Sequence, residues 1–444
     1  MPAALDQATV ERFAKDFGAT PTYRLLQNAV ATTPVDDVAL DRAVVTHTEP
    51  SMSHLLDDWT VTDQKKSGRC WLFAGANLLR VGAARTLGVK DFEFSQNHLM
   101  FWDKLEKANH WLESILETAD RDVDDRTVAH LLAGPAEDGG QWNMFVALVN
   151  KHGLVPKVAM PETQSSSDTG RLNRALSTVL RQGARDLRAE VRAGRGAGDL
   201  RETKTDVLST VHRILAIHLG TPPERVYWQW QDKDRGFHRE GWLTPRDFAE
   251  RYVNIPIEEY VCLVHDPRPD NVVGRTYTVE HLGNVVGAAP VVYLNVEADV
   301  LKQLTMDSLV DGQPVWFGCD TDKMSHSGLG LWDARLYDYD GLYDIQTTMT
   351  KADRLLHRAT LMTHAMLFTG VDVVDGAPRR WRVENSWGPD KADKGFWTMN
   401  DNWFGEHVFE IAVHPDRLPA DLQAALDAEP VVLPAWDPMG ALAV

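Results

Sequence analysis

The stretch Gln64-Lys-Lys-Ser-Gly-Arg-Cys70-Trp-Leu-Phe-Ala-Gly-Ala-Asn-Leu-Leu79 constrains this chain more than any other. Apolar residues recur at Trp71, Phe73, Ala74, Leu78 and Leu79, mostly three or four apart, the pattern of a helix packed on one side. Ser67 and Gly68 stand just ahead of it, where a cap or tight turn is expected. Cys70 then falls in the first turn, where unpaired N–H groups and the positive end of the helix dipole favour a thiolate. The same position also suits an inert thiol, since a lone cysteine in an apolar helix is most often core. The segment by itself leaves both readings open.

Hydrophobic residues fill 43% of the 444 positions and charged residues 25%, ordinary for a soluble globular chain of one elaborated domain or a few smaller ones. A formal charge of −18 argues against a broad nucleic-acid or membrane surface, though not against a local basic patch. The N-terminal residues carry acids and no sustained apolar run, unlike a signal peptide. No apolar stretch is long enough to predict a membrane span. Cys70, Cys262 and Cys319 are odd in number and lack metal-ligand spacing. They fit a reducing cytoplasm and at least one free thiol, and no metal or organic cofactor is implied.

Residues 1–163 read as an approach segment followed by a helical half. Helices are expected over Gln7 to Phe17, from Cys70 onward, over about Gln96 to Leu116 and from Trp142 to Val149, with an extended piece near Asp41 to Thr46. Residues 164–250 are dense in charge and read as a mainly helical insertion that packs on something large, given Trp228, Trp230 and Trp242. Strand character dominates residues 251–415, interrupted by helices near 300–309 and 351–357 and a further insertion before 350. Residues 416–444 form a proline-broken arm. Helices first and strands later make an α+β pattern whose sheet is antiparallel or a partly closed barrel.

His364 opens one predicted strand and Asn385 ends the next, so neighbouring strands can bring them together. A cysteine, an imidazole and an orienting amide are a known solution to acyl transfer. Gln64, six residues before the cysteine, is placed to donate to an oxyanion beside the Cys70 N–H. Taken singly, His364 reads as a satisfied structural histidine and Asn385 as a turn residue. Two glycines, Gly139 and Gly140, precede a helix, which fits either a permissive turn or close approach to an extended substrate.

In combination these segments resemble the papain-like cysteine peptidases, and within them the bleomycin hydrolase and bacterial aminopeptidase C family. The resemblance rests on Gln64 to Ala74, Asp138-Gly-Gly-Gln-Trp142, Pro314 to Lys323, Met362-Thr-His364-Ala-Met, Arg382-Val-Glu-Asn385-Ser-Trp-Gly and the ending from Leu433 to Ala443, in that order along the chain. It implies a papain-like fold with large helical insertions and a cysteine aminopeptidase in which Cys70, His364, Asn385 and Gln64 are catalytic. It further implies that Gly139 and Gly140 border the substrate, that Trp387 shields the His–Asn hydrogen bond, and that the arm ending at Ala443 lies in the cleft. Peptides are the implied substrates, and a homohexameric ring the implied assembly.

The cysteine-to-histidine separation is 294 residues, against roughly 130–150 in ordinary papain-like enzymes. About 150 residues are therefore inserted. Some members of the family bind DNA through a basic channel, which the acidic balance of this chain argues against. Val444 extends one residue past Ala443. Alternatives to an aminopeptidase are a bleomycin-type amide hydrolase, an endopeptidase, and an inactive self-assembling or nucleic-acid-binding protein of the same fold. The complete Gln–Cys–His–Asn set weighs against the last.

Overall fold

In the computed structural model, which describes residues 3–56 and 59–443, the cysteine-bearing helix runs from Cys70 to Leu87 and is buried along most of its length. It ends at Gly88, whose φ of +66° forms a left-handed cap that a side chain would strain. The helices Gln96–Glu117 and Trp142–His152 pack beside it. Trp71, Leu78, Leu99, Phe101, Leu112, Trp142 and Phe145 share one core with residues from the near face of a sheet. The helical half thus forms as the apolar spacing predicts.

Among the described residues the main sheet has twelve strands. Its centre runs, in spatial order, Val261–Val264, Val408–Val413, Val315–Cys319, His364–Val374, Ala377–Glu384 and Phe396–Asn400, each neighbouring pair antiparallel. Parallel pairs flank that centre: Val431–Leu433 on Thr276–Val279, Tyr293–Asn295 on Val261–Val264, and Leu331–Trp332 on Phe396–Asn400. The α+β class holds, and the sheet is open and mixed rather than antiparallel throughout or closed into a barrel. Its far face buries a second core, with Phe317, Phe368, Trp381, Trp397 and Trp403 beneath the helix Ala298–Val310. Alternation along the central strands explains this: Trp316 faces the cysteine helix while Val315 and Phe317 face away.

Two local expectations are corrected. The segment expected to be extended near Asp41 is the helix Arg42–His47, because the Asp41 carboxylate accepts the Ala43 N–H at 2.8 Å and caps the turn. The charged insertion holds two long helices, Gly170–Arg192 and Ala197–Leu219, but its tryptophans lie in a hairpin, Val226–Gln231 with Phe237–Leu243. Val226, Trp228 and Trp230 repeat every second residue, the period of a strand. Trp228 packs on Phe248 and Tyr252, whereas Trp242 is exposed.

Candidate active site

Cys70 is the first residue of its helix, and Arg69 is the N-cap without a side-chain capping bond. Ser67 does not cap the helix as expected. Its hydroxyl donates to the Gln64 carbonyl at 2.6 Å and accepts from Arg69 Nε at 3.0 Å, so it braces the preceding loop. Arg69 in turn makes two bonds to the Glu162 carboxylate, at 2.7 and 3.2 Å.

The pairing of His364–Val374 with Ala377–Glu384 brings His364 and Asn385 together, with the His364 Nε2 atom 2.9 Å from Asn385 Oδ1. That oxygen also accepts the Ser386 N–H at 2.8 Å, which orients the amide. His364 Nε2 is therefore the donor, and Nδ1 keeps its lone pair. The N–H of Ala365, the next residue, points at the Cys70 sulfur, so thiol and imidazole share one small volume. The Trp387 ring centroid lies 5.0 Å from that of His364, covering the imidazole beside its amide partner.

Burial pushes the Cys70 thiol up to about 11, against the Ala365, Trp71 and Cys70 N–H groups, which pull the other way. Burial likewise lowers His364 to about 4, while the Asn385 bond opposes it. The dipole-favoured thiolate expected from sequence is thus outweighed in the closed cleft by desolvation. Burial disfavours the charged form of both groups.

Gln64 is buried, with its Oε1 accepting from Ser386 Oγ at 2.6 Å and its Nε2 donating to the Ser67 carbonyl at 2.5 Å. An amide nitrogen has two hydrogens, so one N–H remains for an oxyanion beside the Cys70 N–H. Glu384, adjacent to Asn385, sequence reasoning passed over. Its buried carboxylate accepts from Asn77 at 2.9 Å, from Trp59 at 2.7 Å and from Arg80. Asn77 and Arg80 lie on the cysteine helix, so this cluster ties the element that carries Cys70 to the strand that precedes Asn385.

Gly139 and Gly140 face different partners. A Cβ on Gly140 would overlap the Trp71 indole, while one on Gly139 would overlap the Leu442 carbonyl and stand 3.1 Å from Ala443 Cα. The glycine turn therefore accepts backbone closely, and the backbone it holds is the chain's own C-terminal arm, whose last turn, Pro438–Ala443, is a 3-10 helix. The arm is anchored by Arg268, which bonds the Asp437 carboxylate at 2.8 and 2.9 Å and also Asp266. Tyr293 Oη and Gln141 Nε2 both donate to the Met439 carbonyl, at 3.1 and 3.3 Å. Ala443 is half-buried, and Val444 lies outside the described residues. Among the described residues no group of three potential ligands is placed to hold a metal, and no helix is long and apolar enough to cross a membrane.

A helical half and a sheet half, meeting at a cysteine on one side and a hydrogen-bonded histidine and asparagine on the other, define the papain-like class of cysteine peptidase. The Peptidase C1-like family model matches residues 4–440, and the chain belongs to that family. It is similar to aminopeptidase C of Listeria monocytogenes, 39% identical with all of each chain covered. It is equally similar to bleomycin hydrolase of Homo sapiens, 40% identical over 99% of each. The crystal structure of PepW from Lactobacillus rhamnosis HN001 superimposes with a TM-score of 0.97 at 42% identity, covering 99% of this chain and all of that one.

Proposed function

We propose that this chain is a thiol aminopeptidase that removes the first residue of peptides. The observation that carries this reading is the arm seated on Gly139 beside the Cys70–His364–Asn385 cluster. In that reading His364 Nδ1 takes the thiol proton as Cys70 attacks the carbonyl after the first residue. The oxyanion is held by the Cys70 N–H and the free Gln64 N–H, and the imidazolium then protonates the departing amine. Water attacks the thioester with His364 again as base. Asn385 orients the ring, Trp387 keeps water from the bond between them, and Gly139 and Gly140 line the route of substrate backbone. The similarity to relatives named aminopeptidase C supports the exopeptidase assignment. Bleomycin-type amide hydrolysis would use the same groups.

Comparing a peptide with its N-acetylated form tests the assignment. Cleavage of the free form with loss of about 10²-fold or more on acetylation is expected, because the α-ammonium is the recognised charge. Equal rates on both would overturn it.

The reading extends to assembly and location. Residues 1–163 and 251–415 would make the two halves of the catalytic unit, 164–250 an oligomerisation insertion and 416–444 the cleft-occupying arm. Exposed Tyr227, Phe237 and Trp242 on the insertion's hairpin are the aromatic surface such an assembly would cover. Light scattering is expected to give six times the 49.8 kDa chain mass, whereas a monomer at all concentrations would remove the ring. Three free cysteines suit a reducing cytoplasm.

A further inference from the structure

Asp138 stands where three parts of the molecule meet, and nothing in the chemistry above uses it. Its carboxylate is almost fully buried, yet every lone-pair direction is occupied. Oδ2 accepts the Gly68 N–H at 3.0 Å and the Thr169 hydroxyl at 2.6 Å. Oδ1 accepts Asn173 Nδ2 at 2.9 Å and lies 2.6 Å from the Lys104 ammonium. The backbone carbonyl of the same residue accepts the Trp71 indole N–H at 2.8 Å.

Those partners bracket Cys70. Gly68 precedes it by two residues and Trp71 follows it, while Gly139 and Gly140 continue directly from Asp138. A Cβ at position 68 would stand 2.9 Å from Asp138 Cβ, so glycine there is what allows the loop to close on the carboxylate. Thr169 caps the insertion helix Gly170–Arg192 and Asn173 lies in its first turn. The same loop is joined to the insertion by backbone, with Lys66 N–H donating to the Ser167 carbonyl and Thr169 N–H to the Lys66 carbonyl. Burial would raise the Asp138 carboxyl, but the Lys104 charge and these hydrogen bonds outweigh it and hold it well below the ordinary carboxylate range. It is a permanent anion.

We propose that Asp138 is a positioning residue that holds the oxyanion loop and the first turn of the nucleophile helix against the glycine turn, and that it makes this geometry depend on the docked insertion. The proposal rests on Cys70 being the nucleophile. Near-attack geometry tolerates displacements well under an ångström, so a loop released from its anchor loses rate rather than substrate affinity. The charge acts in the opposite sense. An anion near Cys70 disfavours the thiolate, so removing it makes the thiol easier to ionise. Solvating the thiol would also ease its ionisation, since burial is the larger cause of its raised value, so the discriminating readout is a fall in kcat with KM kept.

The test is Asp138→Asn in the full chain, read by steady-state kinetics on a free-N-terminal peptide and by the pH dependence of iodoacetamide alkylation. A fall in kcat of ~10-fold or more is expected, with KM within about threefold and the alkylation midpoint shifted to lower pH. A kcat within about twofold of wild type, a loss confined to KM, or a midpoint unmoved or shifted upward would overturn the proposal. Thr169→Val combined with Asn173→Ala spares the Lys104 ion pair and guards against misfolding of the single variant. A fall in kcat of about threefold or more is expected there, and an unchanged kcat also overturns the proposal. Cys70→Ala is the control: if it retained turnover, the nucleophile assignment would fail, whereas an inert Cys70→Ala beside a fully active Asp138→Asn would sink the positioning role alone.

Discussion

Replacing Cys70 by alanine is expected to lower kcat/KM by about 10⁴-fold or more while leaving the circular dichroism spectrum and particle mass unchanged. Alanine fits the space, since Cys70 sits in an apolar core beside Ala74 and Trp71 and its side chain makes no bond on which the fold depends. His364→Ala should cost as much, because it removes the base that takes the thiol proton. Asn385→Ala should cost less, on the order of 10²-fold, since it costs ring orientation and leaves the base in place. Matched kinetics in which the asparagine loss was the larger would reverse that ranking. The wild-type pH profile carries a further sign. Burial lowers His364 to about 4, so the neutral imidazole survives well below the ordinary range. The acid limb of kcat/KM should accordingly fall as pH drops through the region of 4 to 5 rather than near 6.5. A limb at 6.5 would mean that the imidazole is solvated in the working enzyme.

The parts of this site that were legible in sequence are those in which local pattern and chemistry coincide. Cys70 follows a turn and opens an apolar helix, and Asn385 directly follows a strand in which Trp381 and Val383 alternate with arginines. The strand pairing that joins His364 to Asn385 needs only two adjacent strands with a short turn between them. Glu384 and Asp138 were not legible in the same way, because their partners lie 304 and 70 positions away, at Arg80 and Gly68. The strand Ala377–Glu384 already carries Arg379, Arg380 and Arg382, so one more charged residue at its end gave no signal that Glu384 pairs with a buried cation on another element. The depth of burial of the thiol was not legible for a related reason. A helix N-terminus can be seen in sequence, but the strand whose Ala365 N–H meets the Cys70 sulfur lies 295 positions further along the chain. The hairpin carrying Trp228 and Trp230 was read as helical because its charged surroundings masked a short alternation of period two.

Removing the last five residues, Gly440 to Val444, is expected to turn the enzyme into one that cuts N-acetylated peptides internally. Leu442 and Ala443 occupy the track along Gly139, so in the intact protein a peptide with further residues ahead of the one next to the scissile bond meets the arm. The arm is firmly held. Arg268 is mostly buried between Asp266 and Asp437, and breaking such a pair costs about 3 kcal/mol or more because it strands a buried charge. The Met439 carbonyl adds two bonds, from Tyr293 and Gln141. Truncation leaves those anchors in place up to residue 439 and empties only the track, so the fold should survive. Arg268→Ala reaches the same end by loosening the whole arm, and should show the same gain on acetylated substrates to a smaller degree. In the intact enzyme the terminal carboxylate is the group suited to bind a substrate's α-ammonium. Val444 would place that carboxylate one residue too far along, and we therefore expect the enzyme to remove it. Intact mass spectrometry should show loss of valine in wild type and its retention in Cys70→Ala. Retention in both would mean that Val444 is itself the working terminus. If the truncated enzyme kept its preference for free N-termini, the arm would be a passive tail and the selectivity would have to lie in the cleft walls around Gly139 and Gln141.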